Sequence, residues 1–159
     1  MRHAKSSWKQ DGLRDFERPL NNRGMRDAPF MGKVLWERGI RADLIISSPA
    51  LRAITTAKVI AEKLNYDVHA IMTDGALYDG DSNSMQSIVR QIDDSRRTAV
   101  VMGHNPALTL LANAYSKDSI KNIPTCAVAC FQFEVDTWKE ATRDTGALTF
   151  FEKPKKYFR

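Results

Sequence analysis

The chain has 159 residues, of which 43% are hydrophobic and 27% charged, a composition typical of one globular domain with a substantial core. It contains no apolar run near the roughly 20 residues of a transmembrane helix and no signal-peptide pattern, so we expect a cytoplasmic protein that does not bind membranes. The formal net charge of +5 favours anionic partners. We expect no nucleic acid partner, because zinc-finger and ribonucleoprotein signatures are absent and part of the charge lies in a solvated tail over residues 153–159.

The start of the chain brings an arginine and a histidine together. The segment Met1-Arg2-His3-Ala4-Lys5-Ser6 places His3 where an apolar, strand-like residue gives way to small and polar ones. A helix is predicted over residues 21–38 and ends at Gly39, because glycine commonly follows the last helical turn. His3 is therefore expected in a loop between a strand end and the first helix.

Two short apolar runs are predicted as buried strands, and each is followed by polar residues and a helix. The first covers residues 43–47, after which Ser48-Pro49 gives an N-cap and a proline at the first position of a helix that continues to Leu64. The second covers residues 98–102 and leads through Gly103-His104-Asn105-Pro106 into another helix.

The remaining elements complete an alternation of strands and helices. We predict helices over 106–115 and 84–92, a strand over 68–72, and strands over 126–135 and 146–152 that pair as a hairpin around Asp136-Thr137-Trp138. This alternation favours an α/β fold, a three-layer α/β/α sandwich with a mostly parallel sheet, formed by a single domain over residues 1–159. Ligands bind such sheets at the carboxyl ends of the strands. Because His3, Arg52 and His104 each follow a strand end or lie one turn beyond it, we expect them to share a site.

The two cysteines, Cys126 and Cys130, are expected to be core residues. In one strand they would share a face, but they would lie too far apart along it for a comfortable disulfide. No C-x-x-C pair or histidine cluster accompanies them, so we expect no metal site and no cofactor.

The predicted site combines side chains suited to phosphoryl transfer. A phosphoryl group carries about two negative charges and is bound best by guanidinium groups, so Arg2 and Arg52 are candidate phosphate ligands. His3 would attack phosphorus through one ring nitrogen while a backbone carbonyl holds the proton of the other. His104 would donate to the non-bridging oxygens as charge spreads in the transition state.

Four segments, in chain order, resemble the motifs of the histidine phosphatase superfamily, which has the phosphoglycerate mutase-like fold. They are Arg2-His3-Ala4-Lys5-Ser6-Ser7-Trp8, Arg18-Pro19-Leu20-Asn21-Asn22-Arg23-Gly24, Ser47-Ser48-Pro49-Ala50-Leu51-Arg52-Ala53 with Thr56-Ala57, and Gly103-His104-Asn105-Pro106. The short length and the Arg-His-Ala-Lys-Ser form are similar to the small bacterial phosphohistidine phosphatase branch. The resemblance implies that His3 is the phosphorylated nucleophile. It also implies that the phosphate pocket is formed by Arg2, Arg52 and His104. The implied substrate-binding residues are Lys5, Ser6 and Asn21.

Two departures from the family pattern bear on the mechanism. Relatives have a full apolar strand before the Arg-His pair, whereas only Met1 precedes it here, so we expect that upstream residues are missing from this sequence. Larger relatives supply a carboxylate that protonates the leaving group, and residues 74–81 contain no certain match, with Asp79 and Asp81 as the candidates. Because a phosphorylated imidazole leaves more readily than an alkoxide, this departure favours a phosphoramidate substrate.

These observations predict a metal-independent phosphatase that acts through a phosphohistidine on His3, with phosphohistidine on another protein as the substrate. Two alternatives stay open, a broad phosphomonoesterase for small phosphate compounds and a non-catalytic phosphoprotein-binding module. A binding module would still hold phosphate after His3→Ala, whereas an enzyme would lose its turnover.

Overall fold

The computed structural model of the protein describes residues 1–9 and 11–158. Within this part of the chain the helices are α1 (Asn22–Glu37), α2 (Leu51–Lys63), α3 (Ala76–Asp79), α4 (Ser82–Arg90) and α5 (Ala107–Tyr115). The strands are β1 (Leu44–Ser47), β2 (Met72–Thr73), β3 (Ala99–Met102), β4 (Val128–Phe133) and β5 (Gly146–Glu152). Short 3₁₀ turns lie at Asp15–Glu17, Val68–Ala70, Trp138–Glu140 and Pro154–Lys156.

The first three strands form a parallel sheet with β1 in the middle, in the order β2-β1-β3. The pairing of β1 with β3 runs from Leu44 opposite Ala99 to Ser47 opposite Met102, so both strands end at the same edge of the sheet. The segments that follow them, one carrying Arg52 and the other His104, therefore leave from neighbouring points. The predicted α/β fold class is confirmed, and β4 and β5 form a separate antiparallel pair.

Helices pack on both faces of the parallel sheet. Successive residues of a strand point to opposite faces, so alternate residues of β1 contact different helices. Ile45 of β1 belongs to the apolar cluster that includes residues of α1 and α2. Its neighbours Leu44 and Ile46 belong to the second cluster, which includes residues of α4 and α5. The strand is buried on both sides and reads as a continuous apolar run, as parallel strands do.

The first residues of the chain run between β3 and the segment that precedes β4. Arg2 pairs with Gly103 in a parallel bridge, and its amide donates to the Ala127 carbonyl on the other side at 3.1 Å. The His3 amide donates to the Gly103 carbonyl at 3.4 Å, and the His3 carbonyl accepts from the Cys126 amide at 3.0 Å. The backbone of His3 is thus held from both sides.

Three predicted elements differ from the structure. Residues 68–72 were expected as one strand, but Asp67 accepts a hydrogen bond from the His69 amide and starts a 3₁₀ turn, so the strand is confined to Met72–Thr73. The helix after β1 begins at Leu51, with Ala50 and not Ser48 at its N-cap. Cys126 lies outside β4 in the left-handed region at φ 63°, and both cysteines are free.

The basic C-terminal segment packs onto the protein, contrary to the solvated tail expected from its charge. The rings of Tyr157 and Phe158 lie 5.0 and 4.7 Å from the ring of Phe30 on α1. The ammonium group of Lys156 pairs with the buried carboxylate of Glu152 at 3.1 Å. Among the described residues, none of the helices is long and apolar enough to cross a membrane.

Candidate active site

His3 presents one ring nitrogen for chemistry and uses the other for positioning. Its Nδ1 lies 2.7 Å from the Ala4 carbonyl oxygen, and because a carbonyl only accepts, Nδ1 carries the proton. Nε2 is therefore left with its lone pair. Burial lowers the pKa of His3 to about 3, and the charges of nearby His104, Arg52 and Arg2 act in the same direction, against the hydrogen bond to Ala4. The imidazole is neutral at pH 7, as a nucleophile must be.

His104 follows β3 and lies against His3, with 4.8 Å between the ring centroids. Its Nε2 lies 2.7 Å from the Ser48 hydroxyl, and its Nδ1 lies 3.4 Å from Nη2 of Arg52. Since a guanidinium only donates, Nδ1 is the acceptor and Nε2–H donates to Ser48. Burial, followed by the charge of Arg52, lowers the pKa of His104 to about 4.

Two arginines surround the histidine pair. Arg52 lies in the first turn of α2 and is 6% exposed, although its guanidinium carries a full charge. Arg2 donates from Nη1 to the Ile123 carbonyl at 3.0 Å, while its buried Nε has no hydrogen-bond partner within the described residues. Burial, followed by the charge of Arg52, lowers the pKa of Arg2, as expected for two cations in one pocket. Such a pocket attracts a dianion.

The carboxylate of Asp15, which was not predicted from the sequence, lies against Arg52 on the exposed side of the site. Asp15 accepts from Arg52 through both its backbone carbonyl, at 2.6 Å from Nη1, and Oδ2, at 2.9 Å from Nη2. Oδ2 also accepts from the Tyr78 hydroxyl at 3.0 Å, and Oδ1 accepts from Arg18 at 2.8 Å. Burial acts to raise the pKa of Asp15, but these hydrogen bonds outweigh it and lower the pKa to about 2.

Arg18 holds the loop that follows His3. It donates from Nε to the Ser7 carbonyl at 3.0 Å and from Nη2 to the Ser6 hydroxyl, and the Trp8 ring stacks on it with 3.3 Å between Cζ and the ring centroid. The hydroxyl of Ser6, a predicted substrate contact, is thus already engaged by Arg18. The spacing of three residues between Asp15 and Arg18 was the available signal for this ion pair.

Two of the other residues selected from the sequence, Asn21 and Asp81, cap helices. Asn21 caps α1 by accepting from the Gly24 amide at 2.9 Å, and its own amide donates to the carbonyl of Lys5. Asp81 caps α4 by accepting from the Ser84 amide at 2.8 Å. Asp79 ends α3, directly after Tyr78.

The structure places His3 close to His104 and Arg52, as the sequence resemblance implied for these residues. Comparison with known proteins identifies the family. The family model of the histidine phosphatase superfamily (branch 1) matches residues 1–79. An uncharacterised chloroplast protein of Arabidopsis thaliana is 34% identical over 154 residues, which cover 92% of this chain and 70% of that protein. The chain belongs to the histidine phosphatase superfamily.

Comparison with solved structures indicates the branch of the superfamily to which the chain is most similar. A candidate phosphohistidine phosphatase, SixA of Agrobacterium tumefaciens, matches with a TM-score of 0.82 and 25% identity over 97% of this chain and 95% of that one. A second SixA structure, a protein histidine phosphatase complexed with tungstate, matches with a TM-score of 0.80 and 20% identity. The match covers 98% of this chain and 96% of that one. The chain is a SixA-like member of the superfamily, and these relatives support a phosphatase function.

Proposed function

We propose that the protein is a metal-independent phosphatase that transfers a phosphoryl group to His3 and then to water, with phosphohistidine on another protein as its substrate. The observation that carries the proposal is the hydrogen bond from His3 Nδ1 to the Ala4 carbonyl, which leaves the lone pair of Nε2 free beside two arginines. The two free thiols fit a reducing compartment such as the cytoplasm.

The transfer proceeds in two displacements. The Nε2 lone pair of His3 forms a bond to phosphorus while the bond from phosphorus to the substrate nitrogen breaks, and that nitrogen keeps the electron pair. The oxygen of a water molecule then forms a bond to phosphorus while the bond from phosphorus to Nε2 breaks. The electron pair returns to Nε2, and the protons of the water leave with the phosphate as dihydrogen phosphate. Arg2 and Arg52 bind the non-bridging oxygens, and each of these cations about 4 Å from the phosphate contributes on the order of 4 kcal/mol before desolvation. His104 binds a third oxygen when its Nε2–H turns from the Ser48 hydroxyl to the phosphate.

The substrate class follows from the open site and its charges. Trp8, in the loop after His3, is 73% exposed, so this loop offers an aromatic surface that a protein substrate could contact. The carboxylate nearest to Arg52 is that of Asp15, whose low pKa keeps it ionised and unable to protonate an alkoxide. A substrate whose leaving group needs no added proton suits this site better than a sugar phosphate.

The test is release of inorganic phosphate from a phosphohistidine peptide and from p-nitrophenyl phosphate, with a chelator present. We expect release that His3→Ala abolishes and that His69→Ala leaves unchanged, since His69 is exposed on the Val68–Ala70 turn. Preference for the ester would favour the broad phosphomonoesterase. Phosphate binding without turnover, equal in the protein and in His3→Ala, would identify a binding module and overturn the proposal.

A further inference from the structure

We propose that Asp15 is a specificity-determining residue, whose carboxylate binds the leaving imidazole of phosphohistidine by accepting a hydrogen bond from its ring N–H, with the rings of Tyr78 and Phe16 beside it. This inference rests on the proposed function, because it names the group that binds the leaving half of the same substrate.

The position of the Asp15 carboxylate supports this role. Arg52 Nη2 contacts both Asp15 Oδ2, at 2.9 Å, and His104 Nδ1, at 3.4 Å, so the carboxylate is separated from the histidine pair by one guanidinium nitrogen. Arg52 is the residue proposed to bind phosphate oxygens. A group attached to that phosphate would therefore leave the pocket close to Asp15.

The carboxylate has capacity for one further donor. An ionised carboxyl group offers about four acceptor positions. Arg18, Arg52 and Tyr78 occupy three of them. The side chain of Asp15 is 48% exposed, whereas that of Arg52 is 7% exposed, so the remaining acceptor position is open to an incoming molecule.

Aromatic rings line the same side of the site. The ring of Tyr78 meets that of His104 edge-on at 5.5 Å between centroids, and the ring of Phe16 meets that of Tyr78 edge-on at 5.1 Å. Phe16 is 38% exposed, although it is large and apolar. A flat, positively charged ring is attracted both to aromatic rings and to a carboxylate, so the set matches a protonated imidazole.

The chemistry of phosphohistidine uses this contact directly. When its second ring nitrogen is protonated, that N–H donates to Asp15, and the ring leaves as neutral imidazole once the phosphorus–nitrogen bond breaks. The proton stays on the second nitrogen and the electron pair stays on the first, so no proton donor is required. A phosphate ester has no such N–H, and Asp15 gives it nothing to bind.

The test compares Asp15→Asn with Glu17→Gln, which alters another exposed carboxylate of the same turn, paired with Arg14. We expect Asp15→Asn to lower the ratio of kcat/KM for a phosphohistidine peptide to kcat/KM for p-nitrophenyl phosphate about tenfold or more. Glu17→Gln should leave the ratio unchanged. If Asp15 only orients Arg52, both substrates lose activity together and the ratio stays constant, which would overturn the inference.

A second measurement on the unaltered protein applies even if Asp15→Asn does not fold. N-acetylhistidine should inhibit hydrolysis of p-nitrophenyl phosphate competitively, and more strongly than N-acetylphenylalanine, with inhibition greater at pH 6 than at pH 8. Equal inhibition by the two compounds would refute the subsite. The proposed function fails separately, if the unaltered protein shows no His3-dependent phosphate release.

Discussion

Charges in the site are arranged so that both histidines remain neutral and Asp15 remains ionised. Burial and nearby arginines hold the pKa of His3 at about 3 and that of His104 at about 4. The ordinary value for histidine is about 6.5. Arg52 contributes to all of these shifts, because it contacts Asp15 and His104 through the same nitrogen. Burial is the largest influence on both histidine pKa values, and the guanidinium of Arg52 lowers them further.

These shifts predict how stability depends on pH. The unfolded chain protonates each histidine near pH 6.5, whereas the folded protein resists protonation until about pH 3 to 4, so stability is fully present above pH 6.5 and is lost as the pH falls. Between pH 7 and pH 5, His3 and His104 each lower the free energy of unfolding by about 2 kcal/mol. Between pH 7 and pH 5 we expect the free energy of unfolding of His3→Gln to fall by about 2 kcal/mol less than that of the unaltered protein.

Urea unfolding at the two pH values measures this difference. His69→Gln is the control, because it replaces an exposed histidine on the Val68–Ala70 turn. The same pH dependence in His3→Gln and in the unaltered protein would show that burial does not depress the pKa of His3.

At the scale of elements, the first turn of α1 fixes the loop that follows His3, the proposed nucleophile. The Asn21 amide donates to the Lys5 carbonyl at 2.9 Å, and Gly24 lies against the same carbonyl. A Cβ at position 24 would lie 2.2 Å from the Lys5 carbonyl oxygen, which is a backbone atom and cannot simply rotate away. Close approach, and not a left-handed φ, is what requires glycine here.

Gly24→Ala is therefore expected to lower stability by about 1–3 kcal/mol and to lower kcat/KM, because the loop after His3 must shift. Gly75→Ala is the matched control, since its φ of −62° suits alanine and a Cβ there meets no atom within 4 Å. It should be neutral or slightly stabilising. Thermal unfolding and phosphatase assays on both variants test this, and equal behaviour of the two would contradict the proposed packing.

Sequence patterns predicted the elements whose apolar residues are contiguous, and missed those set by local hydrogen bonds. The runs 43–47 and 98–102 were identified as strands because parallel strands are buried on both faces. The predicted strand over 68–72 was wrong because the Asp67 carboxylate accepts a hydrogen bond from the His69 amide, which favours a turn. Asp15 was not predicted because its partners Arg52 and Tyr78 lie 37 and 63 positions away along the chain, and no periodic pattern links Asp15 to them.

Over the whole molecule, the site exists only when distant segments meet. His3 and Arg52 come from different parts of the chain, as do Asp15 and His104, and the carboxyl edge of the parallel sheet brings them together. An anion that needs all of these groups has no equivalent site in the unfolded chain. Binding at the site is therefore coupled to the stability of the entire fold.

Inorganic phosphate should stabilise the folded protein by about 2.7 kcal/mol when its concentration is about 100 times its Kd. Arg52→Ala should remove most of this stabilisation, because the variant loses a buried cation of the pocket, whereas His3→Ala should retain much of it. Arg41→Ala serves as the control, since Arg41 is exposed and donates to the carbonyls of Trp36 and Ile40. Thermal shifts at constant ionic strength measure the effect. An equal shift in Arg52→Ala and Arg41→Ala would mean that phosphate acts as a general salt, and the pocket would no longer account for binding.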